Sequence, residues 1–368
     1  MGEAATLPAE NASRFAGLAA WPARIVLLLL LALTLYGMAT PPAAVPVRSG
    51  NAQEDVADVL LYDRIVADVR AGRDYHEAAA DAQRAGDYPL RPFVTMRLPT
   101  LAWVQAALPG RAASTILLHL LIVGAAAAWA WRLRSLGARP TQVAIGALLV
   151  LAGSTTLRLP ELLSWHEGWA ALLVALSLAV RGERRFGLAI ALGLAAVLIR
   201  EHAVVYPAMM AAAALLSRRS REAACWSAAI ALFALFLLWH AGQVLAVTLP
   251  TDGASPGWAS GGGWSFVVTM IQLTGPLRLF PQPLAALLVP LAMLGWAGWR
   301  TAIGARAALM LAAYLLAFAL FGRIDNFYWG FLVAPLILLG LLFAPRALRD
   351  LGTNAFARPA AAPVPQPR

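Results

Sequence analysis

Residues 188–207 read LAIALGLAAVLIREHAVVYP, and the reading of this stretch decides the fold class. An apolar run ends at Arg200, Glu201 and His202, and a second apolar run starts at once and continues to Leu216. The outer flanks of the pair are basic: RGERR at 181–185 and SRRSRE at 217–222. Apolar runs of this length, bounded alternately by arginine clusters and by an acid-containing turn, are the pattern of helices crossing a bilayer. Ionisable residues at the edge of such runs tend to face a bundle interior or a cavity and so mark a candidate site. The competing reading is a helix-end pair whose long side chains reach the interface.

The same pattern extends in both directions. Of 368 residues, 60% are hydrophobic and 13% charged, with a mean hydropathy of +0.68; soluble domains carry nearly twice that share of charge. The sequence predicts an all-α, polytopic membrane protein with about ten spans, near 24–41, 112–131, 141–157, 164–180, 186–200, 203–217, 223–245, 281–299, 305–322 and 327–344. All 29 basic residues are arginine. With the N-terminus inside, residues 1–23, the loops 132–140, 181–185, 217–222 and 300–306, and the tail carry 17 arginines (Arg24 included) against 5 acids, whereas the outer segments carry 12 against 14. Every alternate loop then obeys the positive-inside rule. This gives a cytoplasmic segment 1–23, a membrane domain 24–345 and a cytoplasmic, disordered tail 346–368. Two outer loops stand out, 42–111 and 246–280. A cleaved signal peptide competes with a retained first span. The single Cys225 excludes an internal disulfide and reads as a small apolar residue in a span.

The polar residues of interest gather on the outer side. Read as a helix, 54–70 (EDVADVLLYDRIVADVR) places Asp55, Asp58, Val59, Tyr62, Ile65, Val66 and Val69 on one face, with Asp63, Arg64 and Asp68 toward the other. It is therefore an amphipathic helix, suited to the membrane surface, with carboxylates on its apolar face. Such carboxylates are costly unless paired or used; the bland alternative is an acid-rich helix N-terminus. Arg97 precedes the second span. Glu161, His166 and Glu167 lie in 158–167 (RLPELLSWHE), where His166 and Glu167 read as solvated loop residues. Arg323, Asp325 and Asn326 form a polar knot between two spans, or a capped tight turn. His76, His166 and His202 lack metal-site spacing, so neither a cofactor nor a metal is expected. Arginines beside a carboxylate suit an anionic lipid head group and a hydroxyl nucleophile.

Taken together, the first outer loop with its acidic helix (Ala57-Asp58-Val59-Leu60-Leu61-Tyr62), Gly72-Arg73-Asp74-Tyr75, Arg97-Leu98-Pro99, Ile199-Arg200-Glu201 and Gly322-Arg323 with Asn326 and Tyr328 resemble the GT-C superfamily of membrane glycosyltransferases. The likeness covers about residues 24 to 345. It implies an inverting transfer of a sugar from a polyprenyl-phosphate donor to a hydroxyl on a glycan, lipid or protein acceptor, at the periplasmic side of the inner membrane. The partners are thus lipids and glycans, with no nucleic acid. Asp58 matches the family's catalytic acid. Many relatives carry a second acid next to it, where this chain has Val59, so Asp55 and Asp63 stay open as the base. Arg200, Arg97 and Arg323 are the candidates for the donor phosphate. Glu161, His166, Glu201, Asp325 and Asn326 are the candidates for substrate contacts, with Trp258 and Trp264 as a cover. An O-antigen polymerase or ligase would place its large loop later in the chain. A transporter would show mid-membrane charges, broken helices and inverted repeats.

Overall fold

The computed structural model describes residues 12–42, 52–159, 162–257 and 261–357, with the side chains at 52–59 and 324 not described. Among these residues the protein is all-helical. In chain order the helices are α1 (Ala20–Ala39), α2 (Ala52–Arg70), α3 (Tyr75–Ala85), α4 (Thr100–Ala107), α5 (Arg111–Ser135), α6 (Pro140–Gly153), α7 (His166–Val180), α8 (Gly187–Ile199), α9 (Val205–Leu216), α10 (Ser220–Val247), α11 (Gly263–Thr274), α12 (Gln282–Gly298), α13 (Ala302–Phe321), α14 (Ala334–Ile337) and α15 (Ala344–Ala355). Four of them, α1, α5, α10 and α13, are long and apolar enough to cross a bilayer; 325–332 and 334–342 pass the same test only as a pair, bent by 48°, the geometry of a broken span or of a re-entrant loop. Six shorter apolar helices complete the bundle.

The surface of the long helices is itself apolar. Leu28 and Leu35 on α1, Ile116 and Leu120 on α5, and Leu235 and Leu238 on α10 are all more than half exposed. Water would oppose such a surface, whereas lipid solvates it without cost. Inside, helices approach closely where side chains are small. A Cβ on Gly295 would lie 1.9 Å from the Gly340 carbonyl oxygen, and one on Gly340 would lie 2.0 Å from that of Ala292. Close backbone approach at small residues is the usual way helices gain contact in lipid, where apolar association has no water-driven term.

The two ends of the bundle differ in chemistry. At one end the arginine-rich loops meet. Arg181 makes a bidentate pair with Glu222, both contacts at 2.6 Å, and Arg132 donates to the carbonyls of Ala179 and Arg181. At the same end Arg14 donates to the carbonyls of Trp299 and Thr301, and Ser13 N–H donates to Asp350. Glu167 lies in the first turn of α7 and Arg181 follows its last residue, so at 1.5 Å per residue the opposite end lies about 20 Å away.

That opposite end carries a small module with its own core. Leu61 and Ile65 of α2 pack with Tyr75 and Ala79 of α3, with Leu90 and Met96, and with Val244 of α10. The apolar face of α2 therefore packs against protein rather than lying on a membrane surface. Asp74 caps α3 by accepting from the N–H groups of His76 and Glu77. Arg84 pairs with Asp252 at 2.9 Å and ties the module to the segment after α10.

Two expectations need correction. The segment 246–280 is not wholly a loop: α11 is buried against α12, α13 and 324–332. Its apolar run is too short for a span, and its Gly-rich approach hides it. The tail from 346 is not wholly disordered either, because α15 is amphipathic and packs on α1 and α12 through Ala347 and Leu351.

Candidate functional site

Two helix interruptions build the site. Between α8 and α9, Arg200 takes an extended conformation (φ −142°, ψ 114°), and a short 3-10 turn spans Glu201–Val204. Pro207 follows in the first turn of α9, where its missing N–H costs nothing. The interruption turns the ionisable residues of 200–202 inward. After α13, Arg323 is also extended, and Ile324–Leu332 forms 3-10 turns on either side of a kink at Asn326 (φ −98°, ψ 23°). A Cβ on Gly322 would lie 2.1 Å from the Phe266 ring, so that approach requires glycine.

Both interruptions open onto one cavity of about 700 Å³. From the other module come Tyr62 and Arg97, from the start of α7 His166 and Glu167, from the first interruption Arg200, Glu201 and His202, and from the second Arg323, Asp325, Asn326, Tyr328 and Trp329. The charged groups form a chain. Glu167 Oε1 lies 2.7 Å from Arg200 Nε and 3.2 Å from Arg97. Arg200 also pairs with Glu201, whose Oε1 lies 2.9 Å from His202 Nδ1. The ring of His202 packs at 4.8 Å on that of Trp329. Arg97 donates to the Tyr62 hydroxyl at 3.1 Å and lies over the Tyr328 ring at 5.3 Å, a cation–π contact. Tyr75 donates to the Arg97 carbonyl at 2.6 Å and fixes its backbone. Glu167 and Arg200 are 1% and 2% exposed; ions so buried persist only when paired.

Arg323 is held differently. It makes a bidentate contact with Asp325 at 2.6 and 3.0 Å and donates to the Pro256 carbonyl at 2.7 Å. Asp325 is half exposed. Three guanidinium groups thus face three carboxylates among the described lining side chains. The opposite wall is apolar: Val204, Val205, Phe233, Leu237, Phe318 and Phe321 line it, and Phe321 is 50% exposed, so this wall reaches the bundle exterior. α10 and α13 both pack on α9, and the apolar wall runs between them.

The structure therefore brings Arg97, His166, Arg200, Glu201, Arg323, Asp325 and Asn326 to one cavity. Asp63 does not itself line the cavity: its carboxylate pairs with Arg111 and accepts at 3.4 Å from the hydroxyl of Ser164, which does. The side chains of Asp55 and Asp58, and the whole of Glu161 and Trp258, lie outside the described residues. Trp264 covers no part of the site, since its indole donates to the Leu33 carbonyl of α1 at 2.9 Å. Arg200 is already flanked by two carboxylates, which makes it a holder of Glu167 and Glu201 more than a free phosphate ligand. His166 and Glu167 both read as solvated loop residues in the sequence, and the structure buries both in the first turn of α7. The available signal was their position directly before the apolar run GWAALLVALSLAV. Trp165 and Trp329 were hidden because aromatic residues at the ends of apolar runs read equally as interfacial anchors.

Among the described residues no group of three His, Cys, Asp or Glu is arranged to hold a metal ion. Comparison with protein-family models, with curated proteins and with solved structures gives no match.

Proposed function

We propose that this chain is a membrane glycosyltransferase that moves a sugar from a polyprenyl-phosphate donor to an acceptor hydroxyl on the periplasmic side of the inner membrane. In this reading the bundle crosses the bilayer about ten times, several times by short helices, and the arginine-rich end is cytoplasmic. One observation carries the proposal: a single cavity joins a buried arginine–carboxylate network to an apolar wall that reaches the bundle surface. A ligand with a polar head and a long hydrocarbon tail uses both halves, and a purely soluble substrate uses only one.

The chemistry follows from that division. Asp58, one helical turn before Tyr62 on α2, takes the proton of the acceptor hydroxyl as its oxygen attacks the anomeric carbon. The new carbon–oxygen bond forms as the bond from the anomeric carbon to the phosphate oxygen breaks, which inverts the centre. Polyprenyl phosphate leaves as an anion, so it needs little protonation. Its developing charge is met by Arg323, freed as the half-exposed Asp325 turns outward, and by Arg97. Arg200 keeps Glu167 and Glu201 in register.

The test is transfer from radiolabelled polyprenyl-phosphate hexoses by protein in proteoliposomes, comparing wild type with Asp58→Asn and Arg323→Gln. Loss of at least a hundredfold in both variants, with folding intact, is the expected outcome. Wild-type rates in Asp58→Asn would remove that residue from the mechanism, and no transfer from any donor by wild type would remove the proposal.

A further inference from the structure

Buried polar atoms without partners are rare in folded proteins, and each one calls for an explanation. In this protein they concentrate at the cavity. His166 Nε2, Asn326 Nδ2 and Trp329 Nε1 are all buried, line the cavity and find no hydrogen-bond partner among the described residues. Gln83 Oε1 and Thr95 Oγ1 line it in the same condition.

The identities of these atoms restrict the ligand. His166 Nδ1 lies 3.0 Å from the Ser164 carbonyl, which only accepts, so Nδ1 carries the proton and Nε2 presents a lone pair. Asn326 Oδ1 already accepts from the Tyr328 hydroxyl at 3.1 Å, which leaves its N–H groups as donors. Trp329 Nε1 only donates. Gln83 gives its own N–H to the Pro89 carbonyl at 3.2 Å, leaving Oε1 as an acceptor. Apart from Glu167 Oε1, Arg200 Nε and His202 Nδ1, which are held in ion pairs, and the Thr95 hydroxyl, which can do either, the unpartnered set mixes acceptors, His166 and Gln83, with donors, Asn326 and Trp329. A phosphate or carboxylate anion supplies acceptors alone and would repel the lone pairs. A hydroxyl both donates and accepts, so several hydroxyls on one ring satisfy every member. Tyr62, Trp165 and Tyr328, on the same lining, offer faces on which a sugar ring packs.

We infer that the polar end of the cavity is a subsite for a neutral, hydroxyl-bearing ring, read by His166 Nε2, Asn326 Nδ2 and Trp329 Nε1, with an alkyl tail on the wall formed by Phe233, Phe318 and Phe321. The subsite deepens the glycosyltransferase reading and rests on it for the statement that the ring is the transferred sugar. Binding of the ring itself is testable apart from turnover.

Two probes separate the chemistries: n-octyl β-glucoside, with hydroxyls and no charge, and n-octyl phosphate, with charge and no ring. Affinities are measured by the quenching of intrinsic tryptophan fluorescence, with protein in nanodiscs and probes below their micelle concentrations. Trp329→Phe keeps the ring and removes the N–H, and Asn326→Leu removes two donors. At about 1 kcal/mol for a neutral hydrogen bond, each variant weakens octyl glucoside roughly fivefold while octyl phosphate stays within about twofold. Unchanged glucoside affinity in both variants, or an equal loss for both probes, overturns the subsite. Because Trp329→Phe deletes one of thirteen tryptophans, its titration is repeated by thermal shift. Wild-type glucoside binding that depends on Trp329 and Asn326 but comes without sugar transfer supports the subsite and removes the enzyme. Transfer unaffected by the two variants does the reverse.

Discussion

Glu167→Gln is the substitution for which the structure makes the sharpest demand. The carboxylate lies 2.7 Å from Arg200 and 3.2 Å from Arg97, and all three side chains are largely buried. The amide keeps the volume and removes the charge, so the lining changes from three cations against three anions to three against two. Removing one partner of a buried ion pair costs about 3–5 kcal/mol. Arg200 keeps Glu201, and Arg97 keeps its contacts with Tyr62 and Tyr328, so the lower end, about 3 kcal/mol, is expected. At roughly 2 °C per kcal/mol for a chain of this size, the melting temperature falls by about 6 °C. The single cysteine supplies the assay: Cys225 is partly buried in α10, and a thiol-reactive dye reports its exposure on heating. Glu183→Gln is the control. Its carboxylate is 69% exposed beside Arg219, and such a pair is worth no more than about 1 kcal/mol. Equal melting temperatures for Glu167→Gln and Glu183→Gln would refute the buried network.

Other positions give independent checks. Gly340→Ala drives a methyl group into the Ala292 carbonyl, and overpacking of this kind costs at least about 1–3 kcal/mol; the variant is expected to aggregate or melt early by size-exclusion chromatography after heating. Burial, and then the neighbouring His240, push His76 down to about 4. The unfolded chain takes up that proton near 6.5 and the folded module does not, so its contribution is complete above about 6.5 and is lost as pH falls toward 4. The wild-type melting temperature should therefore drop between pH 7 and 5, and the drop should be smaller in His76→Gln. Arg84 beside Asp252 holds that carboxyl below its usual range. This contribution is present above about 3.8 and is lost only at more acid pH. Asp252→Asn at neutral pH should speed limited proteolysis around residues 248–257 several-fold without altering the melting of the bundle.

How far the sequence carries is clear from individual residues. The alternation of arginine-rich and acid-containing loops was enough to separate the two ends of the bundle, because lipid-facing helices leave few other places for charge. Arg97, Arg200 and Arg323 stood out for the same reason: a guanidinium next to an apolar run is rare and conspicuous. Glu167 was not legible, since an acid just ahead of an apolar run reads equally as a solvated loop residue, and only its ion pairs distinguish the two cases. α11 escaped because twelve residues, flanked by glycine and proline, fall short of a span. Trp329 and Asn326 owe their role to the 3-10 segment Ile324–Leu332 and its kink at Asn326, and periodicity does not reveal where a helix departs from α geometry. The pairing of Asp63 with Arg111 joins residues 48 positions apart, which helical spacing alone could not foresee.

The central claim is that one cavity holds the lipid-linked sugar, its head on the polar network and its tail between α10 and α13. The direct measurement is photo-crosslinking of a diazirine-bearing polyprenyl-phosphate hexose to the protein in proteoliposomes, followed by mass spectrometry of the labelled peptides. Label is expected in 200–206, 233–237 and 317–329, and free octyl glucoside should compete with it. Label confined to the lipid-facing surfaces of α1 and α5, and unaffected by competitor, would contradict the account.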